Sequence, residues 1–333
     1  MEPPRTIETA ECKAWVDASG PGDLTICSEK GARADSVEFG EALSRLVNRM
    51  QAQGLFLNLR SLRMILLTPE LGSRVRDWQR KLGLPEAGIS EQPEAGGVAK
   101  TLTWGTNEVS ARAIVLLSDL IGGAAIADNS LANSVVIHEL GHVADYFERH
   151  RITGFPQPAQ WPMNTDWPGI RAFIADVAWS EYAAESVAVL HMSAKDMRDF
   201  QANDLAYLEG VNTRSRQLVE AHKAKQISLL SLWNTSITNI CNLFANFGRA
   251  AAHLPSETDL VSGSMNLAPS GEMACWRPII EKLCSELNGL RALDYADWPT
   301  SHFAGIEEIV ESGFQAVGLF PICNGKNFAV AVK

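Results

Sequence analysis

Between Ser36 and Gln53, the apolar residues Val37, Phe39, Leu43, Leu46, Val47 and Met50 recur at helical spacing, and Gly54 stops the pattern. Leu62 to Thr68 reads as a short buried strand, and Leu71 to Leu82 as a helix ended by Gly83 and Pro85. The segment Gly88–Gly97 is polar and turn-rich, which predicts a surface loop. Thr101–Trp104 and Ala111–Leu117 then form two strand patterns joined by the polar turn Gly105-Thr106-Asn107-Glu108. Asp128, Asn129 and Ser130 offer N-caps for a helix running to about Glu148. A long connection rich in proline follows, carrying Trp161 and Trp167, before a helix from about Pro168 to His191.

Residues 195–252 read as mostly helical, and Asn324-Gly325 predicts a hairpin over Gly318–Val332. The first 35 residues, rich in proline, glycine and charge, predict an irregular lead-in. The pattern therefore predicts an α+β chain in three parts: a lead-in over 1–35, a mixed region over 36–194, and a mostly helical region over 195–333 that ends in a hairpin.

Composition narrows the class. The 333 residues are 46% hydrophobic and 20% charged, which fits a globular protein and excludes collagen-like and disordered chains. With 29 Lys+Arg against 39 Asp+Glu the net charge is −10, which argues against nucleic acid or an anionic membrane as the main partner. The N-terminal residues Met1 to Glu8 show no apolar signal region, and the greasiest stretch, Ala111 to Leu140, is broken by Asp119 and Asp128. The six cysteines are scattered without a CxxC pair, so free thiols in the cytoplasm are expected.

One motif carries chemistry. Val135-Val136-Ile137-His138-Glu139-Leu140-Gly141-His142-Val143-Ala144-Asp145 contains HExxH in the middle of a predicted helix. Residues i and i+4 share one face of a helix, so the imidazoles of His138 and His142 can reach one zinc ion. Glu139, one step round the helix, stands beside the ion as a general base. The flanking apolar residues imply a buried helix, where two unpartnered histidines would be costly. The bland alternative is a helix carrying two otherwise satisfied histidines.

A catalytic zinc site needs a third protein ligand. Glu181 falls on the apolar stripe of Ile174, Val177, Ala178, Ala184 and Ala188, and a carboxylate on such a stripe must be paired. Glu185 follows at i+4, so one carboxylate can bind zinc while the other orients a ligand histidine. The competing reading pairs Glu181 or Glu185 with an arginine of a neighbouring helix. Asp145, three residues after His142, could likewise orient an imidazole, although an exposed Asp near a helix end is the commoner case. His150, His191, His222, His253 and His302 are isolated and read as surface or core residues. The Trp161–Trp167 segment reads equally as a peptide-gripping wall and as packing over the core.

His138-Glu-Leu-Gly-His-Val-Ala-Asp145 and Glu181-Tyr-Ala-Ala-Glu185 together resemble the gluzincin zinc metallopeptidases, most closely the catalytic region of the lethal-factor-like peptidases and Pro-Pro endopeptidases. The resemblance covers about residues 110–192. It implies a zincin-like domain with a small sheet over the HExxH helix, Zn2+ held by His138, His142 and Glu181, Glu139 as general base, and Glu185 behind a ligand. A peptide or protein would be the substrate. The tyrosine that such peptidases place shortly before the third ligand has no counterpart here, since 167–180 contains none; Tyr146, Tyr182, His222 and His302 are the remaining candidates for stabilising an oxyanion. Strand Ala111–Leu117 is expected to align an extended substrate by main-chain hydrogen bonds, provided one of its edges is open. Two other readings stand: a zincin-like regulatory or sensor protein that binds a partner, and a helical interaction protein in which HExxH is coincidental.

Overall fold

The computed structural model describes residues 6–7, 24–84, 97–105, 110–150, 152, 166–253, 271–299, 301–324 and 327–333. The predicted Gly88–Gly97 loop, the 106–109 part of the strand connection, Trp161 and the 325–326 turn fall wholly or almost wholly outside them. The chain is mixed α+β and divides into two compact units, residues 1–160 with 187–193, and 161–186 with 194–333. The division thus groups most of the Glu181 helix with the C-terminal helices, whereas the sequence pattern placed the boundary near residue 194.

In the first unit the strands β1 (Thr6–Ile7), β2 (Thr25–Ser28), β3 (Leu62–Thr68), β4 (Ala99–Trp104) and β5 (Arg112–Ser118) form one sheet in the order β1-β2-β3-β5-β4. Strands β2, β3 and β5 are parallel; β1 and β4 are antiparallel to their neighbours. The lead-in is therefore not wholly irregular. Leu24 and Ile26 are buried, and a four-residue strand was too short to stand out by periodicity.

The runs in β3 and β5 are almost continuously apolar because both faces of the sheet are covered. Leu62, Ile65, Leu67, Ala113, Val115 and Leu117 pack with α1 (Ser36–Ala52), α3 (Asp119–Ile126) and α4 (Ser130–Arg149). On the other face Leu66, Ile114, Leu116 and Leu102 meet α2 (Leu71–Leu82) through Leu71 and Val75. The predicted helices form with their expected signals. Gly83 closes α2 in the left-handed conformation at φ 67°, and Asn129 caps α4 by accepting from the Ala132 amide at 3.0 Å. Asp128 takes φ 59° just before that cap, its carboxylate held by Arg49 and Asn133, which keep it below the usual carboxylate range. Helix α3 was not foreseen, being hidden inside the apolar run from Ala111 to Leu140.

The second unit contains most of α5 (Trp167–Ala188), then α6 (Ala194–Lys223), α7 (Leu229–Ala252), α8 (Arg277–Arg291), α9 (Ala304–Ala316) and the hairpin β6–β7 (Leu319–Asn324, Asn327–Val332). Its buried side chains include Tyr182, Phe244, Trp276, Leu283, Leu287 and Phe314. Trp167 is buried too, its ring 5.1 Å from Phe314 and 5.7 Å from Trp233. Trp167 thus packs in the core, while 161–165 of the segment lie outside the described residues.

Helices α5 and α7 meet backbone to backbone at one point. A Cβ added to Gly248 would overlap the carbonyl oxygen of Ala178. Among the described residues no single helix is long and apolar enough to cross a membrane, and α3 and α4, which pass jointly by length and composition, meet at 116°.

Gly248→Ala tests the close approach. In an unobstructed helix interior this change gains roughly 0.5–1 kcal/mol. Here it is expected to lose about 1–3 kcal/mol by forcing α7 away from α5, as measured by urea unfolding.

Candidate metal centre

Helix α4 presents its motif from a buried position. Ile137, Leu140 and Val143 are sunk in the core below the sheet, which fixes the rotation of the helix and turns His138 and His142 to its other, half-buried side. Their rings lie 4.7 Å apart, centroid to centroid, and nearly perpendicular at 87°. Glu139 is buried and held from the sheet: the Thr101 hydroxyl donates to its Oε2 at 2.6 Å. Leu102 packs against α2, so Thr101, one residue earlier on β4, points to the opposite face, where α4 lies.

Helix α5 carries the carboxylates. One donor atom from each of His138, His142 and Glu181 lies within 4.8 Å of the others. The sequence spacing thus selected three residues that the structure brings together. Four-coordinate zinc with bonds of about 2.1 Å spaces its donors by roughly 3.4 Å, and a group with donors within 4.8 Å could hold a metal ion. Two imidazole nitrogens and one carboxylate oxygen are also a donor set suited to zinc and leave a position open for water.

Glu185, Glu181 and Asp145 each have a basic neighbour. Glu185 is buried, and His253 Nε2 stands 2.7 Å from its Oε1. Glu181 forms an ion pair with Arg249 Nε at 3.3 Å. The arginine reading of Glu181 and the metal reading are therefore compatible, because a carboxylate has two oxygens and about four acceptor positions. Asp145 is not exposed as the commoner case had it. It is buried, and its Oδ2 pairs with Arg149 Nη2 at 2.7 Å across one helical turn.

Sequence reasoning did not find Thr101, Arg249 or His253. A signal existed for the last two, since Arg249 and His253 repeat the i, i+4 spacing of Glu181 and Glu185. For Thr101 there was none beyond its place on a strand.

The proposed oxyanion candidates have other partners. Tyr146 is buried, which pushes its hydroxyl up from the ordinary tyrosine value and keeps it protonated; it donates to the Gly105 carbonyl at 3.3 Å. Tyr182 is raised by burial, against an opposing Arg291, and donates to Asn288 Oδ1 at 2.6 Å. The Nδ1 atoms of His222 and His302 face the carbonyls of Ile227 and Pro299, at 3.1 and 3.0 Å.

Comparison of the chain with family models, with curated proteins and with solved structures finds no match.

Asp145 and Arg149 are both buried, so removing one takes away an ion pair that offsets the burial of the other charge. Arg149→Met is expected to cost on the order of 3–5 kcal/mol in chemical unfolding, and adding Asp145→Leu to recover most of that loss.

Proposed function

We propose that this chain is a zinc-dependent metallopeptidase in which His138, His142 and Glu181 hold the metal and Glu139 is the general base. The observation that carries the reading is the convergence of those three donors within 4.8 Å, from a HExxH helix and a separate downstream helix. The neighbouring carboxylate of Glu139 is in turn held by Thr101. When bound, zinc supplies a Lewis acid for the substrate carbonyl and lowers the pKa of its water ligand towards ~7.

The protein's own part follows from where Glu139 sits. Its buried carboxylate accepts a proton from the attacking water and returns it to the leaving amine. The Thr101 hydroxyl donates to Oε2 and so helps to fix the carboxylate's orientation for that transfer. Burial keeps bulk water from competing for the carboxylate.

An extended peptide is the class of substrate that suits the sheet. Strand β5 cannot align it, contrary to the expectation, because it pairs with β3 on one side and β4 on the other. Strand β4 takes over: it ends the strand order, pairs only with β5 among the described strands, and carries the Thr101 that holds the base. Main-chain pairing along its outer edge would bring a peptide past Glu139. The reading places the activity in the cytoplasm, in keeping with free thiols at Cys27, Cys241, Cys275, Cys284 and Cys323.

The test is digestion of a peptide library by the zinc-loaded protein. Glu139→Gln is expected to keep wild-type zinc content and lose at least about a hundredfold in cleavage rate. Thr101→Val is expected to lose roughly tenfold at unchanged zinc content, since it frees the base without removing it. Zinc binding without cleavage dependent on Glu139 would replace this reading with that of a zincin-like sensor or regulatory protein.

A further inference from the structure

Two carboxylates one turn apart on α5 face two basic side chains one turn apart on α7. Glu181 meets Arg249 at 3.3 Å, and Glu185 meets His253 at 2.7 Å. The repeat follows from the contact at Gly248: its lack of a side chain lets α7 reach the backbone of α5 at Ala178, and the next positions along both helices then stand opposite one another.

The two rungs differ. Glu185 and His253 are both buried, which makes theirs an internal anchor. Arg249 and Glu181 are half-buried, and the guanidinium is fixed from the other side by its Nη2, which donates to Asn246 Oδ1 at 2.9 Å. Arg249 thus meets Glu181 as an already oriented group.

The ligand group is assembled while this contact is made: Glu181 lies with His138 and His142 at the same time as it pairs with Arg249. The arginine therefore does not draw the carboxylate out of the set. A glutamate has three side-chain torsions to immobilise before it can ligate, and a fixed cation at one oxygen removes most of that cost before any metal arrives.

We propose that Arg249 is a positioning residue for the metal centre: held by Asn246 on α7, it orients the Glu181 carboxylate as the third ligand, with the Glu185–His253 pair setting the register of the two helices. The inference rests on the reading of His138, His142 and Glu181 as ligands. It adds that the C-terminal helices are required for metal affinity through a named contact.

The experiment measures the affinity of the full chain for zinc alone, by competition with a chromophoric chelator, together with the visible spectrum of the cobalt-substituted protein. The wild type, His138→Ala, Glu181→Gln, Arg249→Gln and Arg249→Lys are compared, and thermal melts identify any variant that is unfolded. Arg249→Gln is expected to bind zinc ~10–100-fold more weakly with an altered cobalt spectrum. Arg249→Lys, which keeps the charge and most of the stem, is expected to recover part of the affinity, and it carries the test if the glutamine variant does not fold. Wild-type affinity and spectrum in folded Arg249 variants would overturn the proposal, and so would tighter binding, which would make Arg249 a competitor of the metal. If His138→Ala and Glu181→Gln also bind as the wild type does, the metal reading itself fails, a result distinct from failure of the arginine's role.

Discussion

A carboxylate buried in a helix interface must have a partner, and Glu185 is only 2% exposed. Everything at the candidate centre is arranged around that requirement on α5. His253 meets Glu185, Arg249 meets Glu181, and the helix that carries both partners is brought close by Gly248. A bulkier residue at 248 would separate the helices and pull Arg249 and His253 away from the two carboxylates. One donor atom of Glu181 lies within 4.8 Å of donors from His138 and His142.

The same logic acts on α4. Its apolar side is committed to the sheet, His138 and His142 fall on the half-buried side, and two buried carboxylates of the helix are held by specific partners. Thr101 holds Glu139, and Arg149 holds Asp145. Two carboxylates within one helix thus have different surroundings. Asp145 is buried against Arg149 of its own helix, and Glu139 accepts from the neutral Thr101 hydroxyl of the sheet.

The HExxH helix, its cap and the Glu181 helix were legible because helical periodicity, Asn129 and the two i, i+4 pairs are local signals. So was the buried character of β3 and β5, whose unbroken apolar runs require cover on both faces. Three things were not legible. The position of β5 between β3 and β4 depends on strand order, which no local pattern encodes, and it reverses the expectation about which strand is open to a peptide. Strand β2 and helix α3 were hidden, one by brevity and one inside a longer apolar run. His253 looked isolated, and Arg249 drew no reading, because their partners lie on a helix distant in sequence, although their spacing matched. Asp145 was misjudged as exposed because position near a helix end was allowed to outweigh the i+4 arginine that pays for its burial.

The central claim is that two imidazoles and one carboxylate from these helices form a single metal centre. X-ray absorption at the zinc edge of the loaded wild-type protein tests it most directly. One zinc per chain, surrounded by two imidazoles and light oxygen donors at about 2.0–2.2 Å, is the result the account predicts, with the imidazole scattering reduced in His138→Ala. Failure to retain zinc at neutral pH, or a shell containing sulfur, would contradict it.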